Sequence, residues 1–144
     1  MNSSPNSACD GSGLAYGQNG YIYAIFGCNT TSFARYNTSA GSWDASIAQA
    51  PWEIDEGGSI TYAFGSIYVL RGSNASSGEF ARYVISTDSW QDLASAPYVC
   101  KGASISHDAN GHIFAELGCE VNETYYYNIS TNTWKRAEDA PEAF

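Results

Sequence analysis

The chain has 144 residues, 44% of them hydrophobic and 15% aromatic, which is ample for a packed interior and excludes a disordered chain. Fifteen Asp and Glu against six Lys and Arg give a net charge of −9, a surface that repels phosphate backbones and disfavours nucleic acid as a partner. No apolar run approaches the ~20 residues needed to cross a bilayer as a helix, so no membrane span is expected.

Residues Met1-Asn2-Ser3-Ser4-Pro5 lack the charged and apolar regions of a secretory signal. If the protein is extracellular, as the cysteines and sequons below imply, Met1 is expected to be the start of a processed or excised segment. From Pro5 onward the chain repeats itself. Tyr36 and Trp43, Tyr83 and Trp90, and Tyr127 and Trp134 are each followed by Ala-Pro, at Ala50-Pro51, Ala96-Pro97 and Ala140-Pro141. A period of about 46 residues signals repeated supersecondary units. The expected organisation is an N-terminal extension at 1–4, repeats at 5–50, 51–96 and 97–140, and the start of a further repeat at 141–144.

No segment keeps the apolar period of an amphipathic helix beyond two turns, so the chain is predicted to be all-β. Within each unit the spacing predicts four short antiparallel strands. In the first, Tyr21 to Phe26 is an apolar strand after a turn at Asn19-Gly20. In the second, Ile67 to Leu70 follows a turn at Phe64-Gly65, which lacks the Asn. The third reads most clearly: Gly102 to Ala109, a turn at Asn110-Gly111, His112 to Gly118, Thr124 to Tyr127, a turn through Ile129 to Thr133, then Trp134 to Pro141. Asn-Gly supplies the positive φ angles of a two-residue hairpin turn. Gly27, Gly72 and Gly118 end the apolar strands, where a Cβ would be crowded. An aromatic residue at one place in every sheet is what packing of successive sheets requires, so the motif Tyr and Trp are expected in the core.

An apolar strand ending in Gly, then a Tyr, six residues and a Trp, resembles the kelch repeat, one blade of a β-propeller, over nearly the whole chain. The departure is that the second Gly of the usual pair is Cys28, Ser73 or Cys119 here. The resemblance implies three four-stranded antiparallel propeller blades. Closed propellers use about 4 to 8 blades, so three cannot close a ring alone. Pro141-Glu142-Ala143-Phe144 reads like the opening of a further unit. Adjoining blades of a longer chain, a second copy in a three-plus-three ring, or a head-to-tail neighbour are the expected partners.

Cys9 to Cys28 and Cys100 to Cys119 have the same spacing and straddle matching hairpin turns. Both pairs miss an ideal two-residue register by two positions, a diagonal that a bulge brings within bridging range. Disulfides Cys9–Cys28 and Cys100–Cys119 are therefore predicted, with the two other pairings and four free thiols as alternatives. The second unit has Asp55 and Ser73 at these places and loses both cysteines together. Disulfides imply an oxidising, extracellular compartment. Six Asn-x-Ser/Thr sequons, at Asn2, Asn29, Asn37, Asn74, Asn122 and Asn128, exceed the roughly two expected by chance and imply covalent N-glycans. Asn29, Asn74 and Asn122 fall in the second-to-third strand loops, and Asn37 and Asn128 directly follow the motif Tyr.

Residues that could carry chemistry are few. Some kelch-type propellers are copper radical oxidases, whose site needs a Cys-linked Tyr and converging His. Here His107 and His112 flank one hairpin turn, the cysteines are paired, and no metal-ligand spacing is present. Neither a metal nor a cofactor is expected. Arg35 and Arg82 alternate to the face opposite Tyr36 and Tyr83 and are expected in inter-blade ion pairs or stacked on rings. Asp55-Glu56 and Glu138-Asp139 read as solvated edges. The expected function is a non-enzymatic, extracellular, glycosylated repeat module with a structural or adhesive role, self-associating or part of a longer assembly. The alternative is the propeller fragment of a secreted carbohydrate-active or copper radical oxidase enzyme, with its catalytic residues elsewhere.

Overall fold

The structure, a computed structural model, describes residues 2–72 and 78–137. Ser73, Asn74, Glu138-Asp139, Ala140-Pro141 and the further repeat expected at 141–144 lie outside the described residues. Among the described residues twelve strands form three four-stranded antiparallel meanders, each in chain order. The first sheet holds β1 (Ser12–Tyr16), β2 (Tyr21–Phe26), β3 (Phe33–Asn37) and β4 (Ser42–Asp44). The second holds β5 (Ser59–Ala63), β6 (Ser66–Leu70), β7 (Gly78–Val84) and β8 (Ser89–Ala96), with a 3₁₀ turn at Ile85–Thr87 between the last two. The third holds β9 (Ser104–His107), β10 (His112–Glu116), β11 (Thr124–Asn128) and β12 (Thr133–Arg136).

The first strands β1, β5 and β9 lie side by side, so the sheets fan out from a common axis as propeller blades do. Strand alternation sends one set of side chains to each face, and the two gaps between sheets are the two main cores. In the first gap Tyr23, Ile25 and Phe33 meet Ile60, Ile67, Val69 and Tyr83. In the second, Tyr68, Leu70 and Phe80 meet Ile105, Ile113, Leu117 and Tyr127. Antiparallel connectivity puts the β1–β2 and β3–β4 loops and their counterparts on one rim, here called the hairpin rim. The β2–β3 loops and the connections between sheets occupy the other, the linker rim.

The hairpin turns differ from expectation. In the first and third sheets Gly17 N donates to Tyr21 O and Asp108 N to His112 O, so the loops contain three residues, 18–20 and 109–111. Gln18 and Ala109 take positive φ there together with the glycines. Asn19 Oδ1 and Asp108 Oδ1 accept the loop N–H groups of Tyr21 and Asn110. The two-residue turn occurs instead in the second sheet, where Ala63 pairs with Ser66 and both Phe64 and Gly65 are left-handed, the pattern of a type I′ turn.

The Asp108 carboxylate organises its hairpin. Burial pulls its pKa up, but the N–H groups of His112 and Asn110 and the His112 ring outweigh that and hold it at about 2. The folded value lies below the usual ~3.9 of an unfolded aspartate. Its contribution to stability is therefore complete above that value and is lost as pH falls through the folded one. The difference in melting temperature between the native chain and Asp108→Asn is expected to be present at about pH 5 and to vanish toward pH 2; a difference unchanged at pH 2 would contradict it.

Candidate functional site

Both disulfides join the turn that precedes the first strand of a sheet to its β2–β3 or β10–β11 loop: Cys9–Cys28 and Cys100–Cys119, with Cα atoms 5.1 Å apart in each. Cys28 and Cys119 have φ of 56° and 63°, which turns each out of its strand toward its partner. At the corresponding place in the second sheet the chain uses an ion pair. Arg71, where the others have Phe26 and Leu117, donates to Glu53 O at 2.9 Å and reaches Glu79 at 2.7 Å.

The turns so anchored are alike: Cys9-Asp10-Gly11-Ser12, Asp55-Glu56-Gly57-Gly58 and Cys100-Lys101-Gly102-Ala103. In each the fourth N–H donates to the first carbonyl, at 3.0, 2.9 and 3.3 Å, and the Gly has φ of 83°, 83° and 80°. They stack around the axis on the linker rim. A Cβ on Gly11 would lie 1.9 Å from Asp55 O, and one on Gly57 2.0 Å from Cys100 O, so both accept the turn of the next blade; a Cβ on Gly102 would meet nothing within 4 Å among the described residues. The strand-ending glycines are crowded too, but against their own blade: Gly27 by Asp10 O and Gly118 by Lys101 O. Asp10, Glu56 and Lys101 line a polar depression of about 350 Å³ over these turns. Lys101 is bound to Glu56 at 2.6 Å, a contact that raises its pKa.

The motif aromatics pair directly across strands, Tyr36 with Trp43, Tyr83 with Trp90 and Tyr127 with Trp134. Tyr83 and Tyr127 are fully buried. Phe33 meets the rings of both Tyr83 and Trp90 at 4.9 Å, and Phe80 meets Tyr127 at 4.9 Å and Trp134 at 5.0 Å. A polar clamp that sequence reading missed completes each joint. Trp90 Nε1 donates to Ala48 O at 2.9 Å while Asp88 accepts Ala48 N–H and Tyr83 O–H. Trp134 Nε1 donates to Ala94 O at 2.8 Å while Asn132 accepts Ala94 N–H and Tyr127 O–H. Burial and the Asp88 carboxylate push the Tyr83 hydroxyl pKa well up. Burial, then Tyr68, pushes that of Tyr127 to about 12. The readable signal was an Asp or Asn five residues after the motif Tyr. The first unit has Gly41 there, and Tyr36 is only half-buried, unlike Tyr83 and Tyr127, whereas Trp43, Trp90 and Trp134 are all half-buried.

Among the described sequons Asn2, Asn29 and Asn122 are exposed, and Asn37 and Asn128 are half-buried. Asn29 and Asn122 sit on the linker rim, Asn37 and Asn128 on the hairpin rim, where their Oδ1 atoms accept N–H groups of the turns that follow. Arg35 pairs with Asp44 at 2.9 Å and lies over the Tyr21 ring at 4.6 Å, all within its own sheet and not between blades. Arg82 is also held within its sheet, by Gln91 and Tyr68. His112 packs edge-on against Tyr126, and His107 against Phe64 of the second sheet. Among the described residues no three His, Cys, Asp or Glu side chains come together. The inner strands leave a trough of about 620 Å³ along the axis, lined by Leu14, Tyr16, Ile60, Tyr62, Phe64 and His107 among others.

Three twisted meanders fanned about one axis, with aromatic gaps between them, define a β-propeller-like fold. No family model matches the sequence, and no curated protein does. Among solved structures the chain is similar to one titled "Structure of YjhT", with a TM-score of 0.74 and 19% identity over 98% of this chain and 54% of that one. The likeness concerns the fold, and the chain spans about half the length of that structure.

Proposed function

We propose that this protein is an extracellular, N-glycosylated kelch-type repeat module with a structural or adhesive role, one that self-associates or forms part of a longer blade assembly. The observation that carries the reading is the contrast between covered and open faces. Ile60 and Ile105 are 9% exposed beneath a preceding blade, whereas Leu14, at the same place in the first sheet, is 65% exposed. A large apolar residue bared at one end of a repeat stack marks a surface for association. The two bridges support an oxidising compartment. The described sequons within the blades fall on the rims, where glycans add solubility without entering the gaps between sheets.

The enzyme reading draws on the axial trough, where Tyr16, Tyr62 and His107 occupy equivalent inner-strand positions. Glycopeptide mapping of native material with peptide N-glycosidase tests the preferred reading. Conversion of Asn to Asp is expected at Asn29 and Asn122, the exposed loop sites, and at further sequons. Unmodified Asn at every sequon would sink it.

A further inference from the structure

We propose that the cleft on the hairpin rim between the first and second blades binds a carboxylated sugar, a hexuronate, with Arg82 holding the carboxylate and Phe64 the sugar ring. The proposal goes beyond the structural or adhesive reading above and does not rest on it. The cleft has a volume of about 520 Å³, within the ~300–1,000 Å³ usual for small-ligand sites. It opens among the β1–β2 loop, the Phe64-Gly65 turn and the 3₁₀ turn after β7. Its lining comes from the first two blades, so no further blade is needed to build it, and it meets the axial trough at Phe64.

Arg82 supplies the anion site. Arg35, Arg71 and Arg136 each hold a carboxylate. Among the described residues Arg82 holds none, in a chain whose acids outnumber its bases fifteen to six. The cause is one exchange across the strands. Arg35 sits opposite Asp44 and pairs with it, while Arg82 sits opposite Gln91 and donates from Nε to its Oε1 at 2.8 Å. Gln91 thus gives Arg82 an acceptor without neutralising it, and its own amide nitrogen is a further donor. Nη1 of Arg82 reaches the Tyr68 hydroxyl at 3.4 Å, and Nη2 has no partner among the described residues. Guanidinium and amide donors with an unbalanced positive charge are the complement of a carboxylate.

Phe64 supplies the ring site. It takes the first position of a type I′ turn, with φ of 45°, where Asn, Asp or Gly is favoured. The other two hairpins have Asn19 and Asn110 before their glycine. A bulky residue in left-handed backbone is strained, and the Phe64 ring is 64% exposed, so burial does not offset that strain. His107 of the third blade, 4.9 Å away and nearly perpendicular, steadies the ring. An aromatic face kept in water beside a cleft suits the apolar face of a sugar. Around it, Val84 and Ile85 alternate with the hydroxyls of Ser66 and Ser86 and the amide of Gln18. That mixture fits a ring with C–H groups on its faces and hydroxyls on its edge. A hexuronate uses both features, whereas an acidic peptide needs only the arginine.

The test is isothermal titration and saturation-transfer NMR of the disulfide-intact chain with the methyl glycosides of galacturonate and glucuronate. Methyl galactoside and methyl glucoside are the neutral counterparts, and end-blocked glutamate is the peptide one. Saturable binding is expected for at least one hexuronate, with its neutral counterpart and the blocked glutamate weaker by about tenfold or more, and with saturation passing from aromatic protons to the sugar ring. Gln91→Asp rebuilds the Arg35–Asp44 pair in the second blade. It is expected to keep or raise the melting temperature while weakening hexuronate binding by about tenfold or more. Arg82→Gln, and Phe64→Asn, which restores the residue of the other hairpins, are expected to weaken binding while remaining folded by circular dichroism. Lys135→Gln, which removes an exposed charge from the third blade, is expected to leave binding unchanged. No saturable binding of either hexuronate, or binding that Gln91→Asp and Arg82→Gln leave intact, would overturn the site. Blocked glutamate binding as tightly as the hexuronate would overturn the sugar as its occupant, and a neutral glycoside doing so would overturn the carboxylate as the group that Arg82 holds.

Discussion

Tyr83→Ala is expected to cost about 3–5 kcal/mol of unfolding free energy, and Tyr36→Ala, the same change at the same motif position, no more than about 1–2 kcal/mol. Tyr83 is fully buried, wedged between Tyr23 at 5.8 Å, Phe33 at 4.9 Å and Trp90 at 5.5 Å. Truncation opens a cavity on both sides of the first joint and leaves Asp88 without its hydroxyl partner. Tyr36 contacts Trp43 at 5.3 Å but belongs to the open face of the first blade, where water or a rearranged Trp43 fills the space. Tyr83→Phe separates the two contributions: it keeps the ring and is expected to cost about 1 kcal/mol, the net worth of one hydrogen bond. Urea titrations at concentrations where the chain is monomeric measure all three, and equal losses at Tyr36 and Tyr83 would contradict the assignment.

What the sequence reveals here is its register. The Tyr-Trp spacing, the glycines ending apolar strands and the matched cysteine pairs are local and periodic, so they could be read directly. β2 occupies Tyr21–Phe26, the apolar run read from sequence. What could not be read depends on how blades meet. Asp88 and Asn132 look like ordinary turn residues, and only the approach of the preceding sheet turns them into clamps for Ala48 and Ala94. Gly11, Gly57 and Gly102 form a third glycine series, two residues after Cys9, Asp55 and Cys100, and for Gly11 and Gly57 its meaning lies in a neighbouring carbonyl that no single-unit pattern displays. The hairpin loops differ from the sequence expectation for another reason. Asn-Gly does favour a tight turn, but Gln18 and Ala109 also accept left-handed backbone once Asn19 and Asp108 bind the loop N–H groups, and the loop grows by one residue.

Removing both disulfides, by Cys→Ser at Cys9, Cys28, Cys100 and Cys119, is expected to bring the chain close to the limit of folding. Each bridge closes a loop with a sequence separation of 19, which corresponds to about 3 kcal/mol on the loop-entropy estimate. The bridges lie in different blades, so their effects are expected to add. The sum of about 6 kcal/mol compares with a typical domain stability of about 5–15 kcal/mol. The position of the bridges sharpens the expectation beyond entropy. Each holds a turn whose backbone packs on the axis, Cys9-Asp10-Gly11-Ser12 beside Asp55 and Cys100-Lys101-Gly102-Ala103 beside Gly57. Losing Cys100–Cys119 is therefore expected to loosen the joint between the second and third blades as well as its own sheet, whereas losing Cys9–Cys28 loosens the joint between the first and second. Denaturant titrations of the two double variants and the quadruple variant, with hydrogen exchange at Ile54 and Ile105 as joint reporters, measure this. A quadruple variant as stable as the native chain would contradict this and show that strand pairing and packing at the joints hold the first and third blades without a bridge.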